Sequence, residues 1–170
     1  ARGSMGKDVE IQSNNIVAIT SKKLHSQYKL LNIPDELGEE SMKMLSQEPE
    51  IKNTLDYIQK TDVLVFAIGK ADEMAKRRKL PEDKVNEIIS KGAVGEAFGH
   101  YFNENGEIVY RLSRFGLQIE EIEKIPYAMA IAGGSTKAKA IKAFMKYAPH
   151  QTWLITDEGA ANLILKGVTL

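Results

Sequence analysis

Three times along this chain a short apolar run stops at a glycine and an amphipathic helical pattern follows. Asp62–Ile68 (DVLVFAI) runs into Gly69, Tyr127–Ala132 runs into Gly133-Gly134, and Thr152–Thr156 runs into Asp157-Glu158-Gly159. Apolar runs without a polar alternation read as strands buried on both faces. Strands that alternate with helices predict an α/β fold: a Rossmann-like parallel sheet with helices on both faces. Such sheets bind ligands beyond the carboxyl ends of their strands, so the three junctions mark where a site is expected.

The other elements fit around this frame. A helix is predicted from Asp8, with Val9, Gln12, Ile16, Ile19 and Lys23 along one stripe. Tyr28–Ile33 reads as a strand stopped by Pro34. Helices are predicted over Gly38–Gln47, from Pro49 with Ile51, Leu55 and Ile58 on one face, over Ala71–Lys79, and over Pro81–Ser90 with Gly92 as its cap. Residues 93–111 are β-rich, and Asn103-Glu104-Asn105-Gly106 is a hairpin signal between Tyr101-Phe102 and Ile108-Val109-Tyr110. Leu117–Ile125 reads as a short amphipathic helix. At 170 residues the chain is of one-domain size.

Composition removes several function classes. Lys+Arg and Asp+Glu both number 23, so bulk electrostatics do not equip this segment to grip nucleic acid. Cysteine is absent, which excludes disulfides, thiolate catalysis and Cys-based metal sites. His25, His100 and His150 lack metal-ligand spacing, and no apolar run reaches the roughly 18 residues a membrane span needs. No metal, no cofactor and no membrane contact are expected.

What remains is anion chemistry. Gly133 and Gly134 let a phosphate approach the backbone, and the helix that follows offers unpaired N–H donors with Ser135 or Thr136 as N-cap. Lys137 stands in the first turn, where a cation opposes the helix dipole unless an anion binds beside it. The spacing is neither a Walker loop nor a G-x-G-x-x-G fingerprint. In Lys76-Arg77-Arg78-Lys79 a guanidinium suits a phosphate, although cations also complement the end of a helix. Neighbouring residues on a helix diverge by about 100°, so one arginine of the pair faces a given site; Arg77 is the expected phosphate fork. Arg2 is a second candidate phosphate ligand. Glu96, in AVGEAFGHYF, is either an acceptor for sugar hydroxyls or a loop glutamate, and Gln12 is either a ligand contact or a surface residue. Asp157 and Glu158 could form an acid/base pair, but Asp before a helix is first an N-cap.

Five segments in order, ARGSMGKDVEIQSNNI, DVLVFAIGKADEMAKRR, AVGEAFGHYFNENGEIV, AIAGGSTKAKAI and WLITDEGAANLIL, resemble the sugar-binding effector domain of SorC/DeoR-like bacterial transcriptional regulators. The resemblance covers essentially the whole chain. It implies a fold similar to sugar-phosphate isomerases and glucosamine-6-phosphate deaminases, a cytoplasmic protein, and a phosphorylated sugar as ligand. In the glycolytic regulators of the family that ligand is fructose 1,6-bisphosphate. It places ligand contacts on Arg2, Gln12, Arg77, Glu96, Gly133, Gly134, Ser135 and Lys137, with no catalytic residues. Ser4 stands where the family usually has a second glycine.

The resemblance also implies a preceding threonine-rich phosphate loop and an N-terminal DNA-binding domain. Residues 1–170 are therefore expected to be an effector domain incomplete at its N-terminal side, with operator DNA read elsewhere. An uncovered apolar edge or face of the sheet and association of like chains into a homo-oligomer are expected. The alternative reading is an isomerase- or deaminase-like enzyme. Against it stands the lack of an obvious Asp/His or Glu/His pair near the glycine loops.

Overall fold

The computed structural model describes residues 13–33, 37–114 and 116–166. The chain divides into two compact units, residues 1–60 with 113–116, and residues 61–112 with 117–170.

In the first unit the described elements are helices α1 (Ser13–Lys23), α2 (Glu39–Leu45) and α3 (Pro49–Ile58). The predicted start of the first helix, Asp8–Gln12, lies outside the described residues. α1 ends where His25 takes a positive φ and Ser26 N–H returns to the Ser21 carbonyl at 2.9 Å. Pro49 occupies the first turn of α3, where its missing N–H costs nothing. Tyr28–Ile33 is not a strand. It buries Leu31 and Ile33, and Ile33 N–H bonds back to Leu31, so this apolar run packs without joining a ladder. The Lys29 ammonium ties the segment to α3, 2.8 Å from Asn53 Oδ1 and 3.9 Å from the centre of the Tyr57 ring.

The second unit holds two sheets. β1 (Val63–Ala67), β6 (Tyr127–Ile131) and β7 (Thr152–Ile155) form a parallel sheet in the order β1-β6-β7. Ala67 pairs with Ile131, and Ile131 with Ile155, so the three carboxyl ends are level. β2 (Gly69–Lys70), β3 (Ala93–Ala97), β4 (His100–Asn103) and β5 (Ile108–Arg111) form an antiparallel sheet in sequence order. The chain crosses between sheets at Ile68. A single parallel sheet was expected; the hairpin signal at 103–106 is the visible part of the second one. Its turn forms as read, with Gly106 at φ 87° and Asn103 Oδ1 accepting from Asn105 and Glu107 N–H.

Helix α6 (Ala138–Tyr147) shares one apolar core with both sheets. Ala140, Ile141 and Phe144 cluster with Ala128 and Ala130 of β6 and Phe102 of β4. Phe144 is 5.4 Å from the Phe66 ring and 5.7 Å from the Phe102 ring. Gly95 allows the close approach, since a Cβ there would lie 3.0 Å from that of Ala140 and closer still to Phe102. On the other face of the antiparallel sheet, Tyr101 packs with Ala71 and Ala75 of α4 (Ala71–Arg77) and Ile88 of α5 (Glu82–Ser90). α7 (Glu158–Lys166) adds Ala160 and Ile164 to the larger core. Residues Ile119–Lys124 form a 3-10 helix rather than an α-helix, opened by a capping box between Gln118 and Glu121.

Among the described residues of this unit, one face of the parallel sheet is packed into the core and the other carries exposed apolar side chains. Leu64, Phe66, Ala128, Ala130 and Leu154 face the core, while Val63, Val65, Tyr127, Ile131, Trp153 and Ile155 are exposed, Trp153 by 63%. The expectation of helices on both faces is corrected here, and that of an uncovered apolar face is met. A continuous apolar run has no period that tells which of its faces is covered.

Candidate functional site

The level carboxyl ends of β1, β6 and β7 gather three junctions at one end of the parallel sheet: Gly69-Lys70, the loop 133–137, and Asp157–Gly159. Gly69 also pairs with Glu96 across the antiparallel sheet, so Glu96 sits beside the first junction.

The loop after β6 is built from the glycines. Ala132 N–H still bonds to the Ile155 carbonyl at 3.1 Å, so the chain leaves the sheet at Gly133. Gly134 has φ 98° and ψ 131°, which side-chain-bearing residues avoid. Ser135–Lys137 then make a 3-10 turn, closed by Lys137 N–H to the Gly134 carbonyl at 2.9 Å, and α6 follows. The expectation that Ser135 or Thr136 caps the helix is corrected: neither does so through its side chain. Both lie inside the 3-10 turn and are exposed.

Of the lysines that follow, Lys139 forms an ion pair with Glu104 and Lys146 donates to the Glu104 carbonyl at 2.9 Å, fastening α6 to the hairpin turn. Among the described residues Lys137 has no ion-pair partner. It belongs to the turn itself, and its side chain is partly buried.

The loop rests on Asp157. One carboxylate oxygen accepts from Ala160 N–H at 2.8 Å, as an N-cap of α7 should, and the other accepts from Gly134 N–H. The amides of Ala160 and Gly134 hold the Asp157 carboxyl below the usual carboxylate range. A Cβ on Gly133 would lie 2.5 Å from Asp157 Oδ2, so the first glycine is required by this carboxylate. The Asp157 N-cap was legible in the sequence; its second contact, 23 residues back in the chain, was not.

The two arginines part as helical geometry demands. Arg77 is exposed in the last turn of α4, and Arg78 is 5% exposed. Arg78 Nη2 donates to Glu96 Oε1 at 3.0 Å, and Gly99 N–H donates to the same oxygen. Glu96 is thus neither a loop residue nor open to solvent: it is 2% exposed on β3 and joins α4 to the turn between β3 and β4. That turn places Phe98 and Gly99 at positive φ, and His100, also buried, donates from Nδ1 to the Phe98 carbonyl at 3.0 Å. The first glycine junction also has a packing cause, because a Cβ at Gly69 would meet Met74 Cγ at 2.4 Å. Arg2 and Gln12 lie outside the described residues. Among the described residues no His/Asp/Glu cluster suited to a metal ion occurs, and no helix is long and apolar enough to cross a membrane.

The family model described as "Putative sugar-binding domain" matches residues 1–166. The central glycolytic genes regulator of Priestia megaterium is 44% identical over 166 residues, covering 98% of this chain and 48% of that protein. The same regulator from Bacillus subtilis is 42% identical over an equal span. The chain therefore spans about half the length of the curated relatives it matches. Among solved structures, the "putative SorC family transcriptional regulator" of Enterococcus faecalis superposes with a TM-score of 0.88 at 48% identity, covering 97% of this chain and 67% of that one.

Proposed function

The chain belongs to this sugar-binding domain family, and on that premise we propose that it is the effector-sensing domain of a transcriptional regulator of glycolytic genes, which binds a sugar phosphate at the loop 133–137. The observation that carries the reading is Lys137. Its neighbours Lys139 and Lys146 are engaged by Glu104, while Lys137, at a glycine turn beyond the carboxyl end of a parallel strand, has no ion-pair partner among the described residues. Gly133 and Gly134 keep the backbone bare there, and the Ser135 and Thr136 amides bring donors to the same place. Fructose 1,6-bisphosphate is the proposed ligand, with Arg77 as the fork on its other phosphate and Arg2 and Gln12 as further contacts. Glu96 enters as a carboxylate held at the β2–β3 pairing next to the first junction. The proposed kinship with the isomerase/deaminase fold concerns architecture alone.

In this reading the full protein acts in the cytoplasm, reads operator DNA through another part of its chain, and responds because the sugar phosphate binds two conformational or assembly states with different affinity. Self-association belongs to the reading, and the exposed apolar face of β1, β6 and β7 is surface that association would bury. Catalysis does not. Glu96 is occupied by Arg78 and Gly99, His100 is buried against a carbonyl, and Asp157 spends both oxygens on backbone amides, which speaks against an acid/base pair at the loop among the described residues.

The test is calorimetric titration with fructose 1,6-bisphosphate, fructose 6-phosphate and fructose. Affinity should rise with each phosphate. Lys137→Ala should weaken bisphosphate binding by about 10-fold or more, the worth of one charge-assisted hydrogen bond. Equal affinity of variant and wild type removes Lys137 from the site. Turnover of hexose phosphates that tracks with the protein and disappears on mutating Glu96 or His100 would favour the enzyme instead.

A further inference from the structure

Asp157 is a negative charge set against a loop that the reading above assigns to an anion. A carboxylate beside a phosphate repels it, so its place there needs a cause. The geometry supplies one. Asp157 bridges two segments, one oxygen on Ala160 N–H at 2.8 Å and the other on Gly134 N–H. Gly133 must lack a side chain for that oxygen to reach the loop, and Gly134 must adopt φ 98° to offer its amide. Both glycines therefore serve the carboxylate, whatever else they serve. With Gly134 N–H taken and Lys137 N–H closing the 3-10 turn onto the Gly134 carbonyl at 2.9 Å, the amides left at the turn's open end are those of Ser135 and Thr136.

Resting on the reading of the loop as a phosphate site, we infer that Asp157 is a positioning residue: by holding the Gly134 amide it fixes the loop in the form that presents the Ser135 and Thr136 amides, with Lys137 beside them, to a phosphate. The repulsion is tempered because the carboxylate is spread over two amide dipoles and sits at the N-terminus of α7, where negative charge is favoured. It is also exposed, and solvent and salt screen it. The alternative, in which Asp157 competes with the ligand for Gly134, makes the opposite prediction for the affinity of the variants and for the Gly134 resonance.

Asp157→Ser separates the two contacts. Serine is a good N-cap for α7 and too short to reach Gly134. The variant should keep its melting temperature near that of the wild type and bind fructose 1,6-bisphosphate about 10-fold more weakly. In 15N-labelled wild-type protein the Ser135 and Thr136 amide resonances should shift on titration while that of Gly134 stays. Asp157→Asn, whose one oxygen accepts from only one of the two amides, should fall between wild type and serine variant, and it keeps the test open if the serine variant folds poorly. Equal or tighter binding by the variants, or a Gly134 resonance that follows the ligand, overturns the inference while leaving the site. A wild-type chain that binds no fructose 1,6-bisphosphate overturns the site reading, and the inference falls with it.

Discussion

Replacing Arg78 by methionine should cost this protein a large part of its stability, while replacing its neighbour Arg77 should cost almost none. Arg78 and Glu96 form an ion pair at 3.0 Å with both side chains 2% exposed, and Glu96 also accepts from the Gly99 amide. Methionine fills much of the arginine's volume, so the loss is mainly electrostatic: a carboxylate is left in the interior without that guanidinium. Removing one partner of a buried pair typically costs about 3–5 kcal/mol, against a total stability of about 5–15 kcal/mol for a domain. At about 2–4 °C per kcal/mol for a chain of this size, the melting temperature should fall by about 6–20 °C. Urea unfolding followed by circular dichroism measures the loss directly. The mechanism makes a sharper demand on the double variant. Glu96→Gln added to Arg78→Met removes the stranded charge and keeps an acceptor for Gly99, so it should restore part of the stability, with a coupling of about 0.5–3 kcal/mol. Arg77→Ala, on the exposed side of the same turn, should stay within about 0.5 kcal/mol of wild type and act on ligand binding instead. Arg78→Met within about 1 kcal/mol of wild type, or a double variant less stable than Arg78→Met alone, refutes the argument.

Three further outcomes are expected. The amides on Asp157 hold its pKa below the unfolded value of about 3.9, so its contribution to stability is complete above that pH and is lost as pH falls through the lower folded value; acid unfolding of Asp157→Asn should lack that component, and identical acid transitions count against the contact. Gly106→Ala should cost at least about 1–2 kcal/mol from its positive φ alone, with more from a Cβ set 2.9 Å from the Ala143 carbonyl oxygen, and urea midpoints decide it. Trp153 is the sole tryptophan and lies on the open sheet face, so in dilute monomer, acrylamide should quench its fluorescence almost as in a peptide, and protection should grow with protein concentration if chains associate through this face; quenching that stays weak at every dilution counts against an open face.

Much of the architecture was legible because local chemistry decides it. The apolar runs at 62–68, 127–132 and 152–156 became the three parallel strands, Pro49 opened a helix, Gly92 closed one at φ 75°, and Asn103–Gly106 turned a hairpin. Each follows from one residue's dihedral limits or a short pattern. Asp157 as an N-cap belongs to the same class. Tyr28–Ile33 failed for the complementary reason: a strand exists only with a partner, and an apolar run does not name one.

The partition of Arg77 and Arg78 shows where the boundary falls. Helical period alone says that they face different ways. Only the packing of α4 on β3, which brings Glu96 to Arg78, decides that Arg78 is the inner one. Likewise the pair Gly133-Gly134 announced a close approach to the backbone, but the group that approaches is a carboxylate delivered by β7 through a parallel register. Sequence by itself determined the three parallel strands, the hairpin turn and the places where backbone must be bare, since steric limits act within a few residues. Tertiary structure alone decided which distant charge meets which amide and which face of the sheet stays open, because those depend on contacts between segments that no local period encodes.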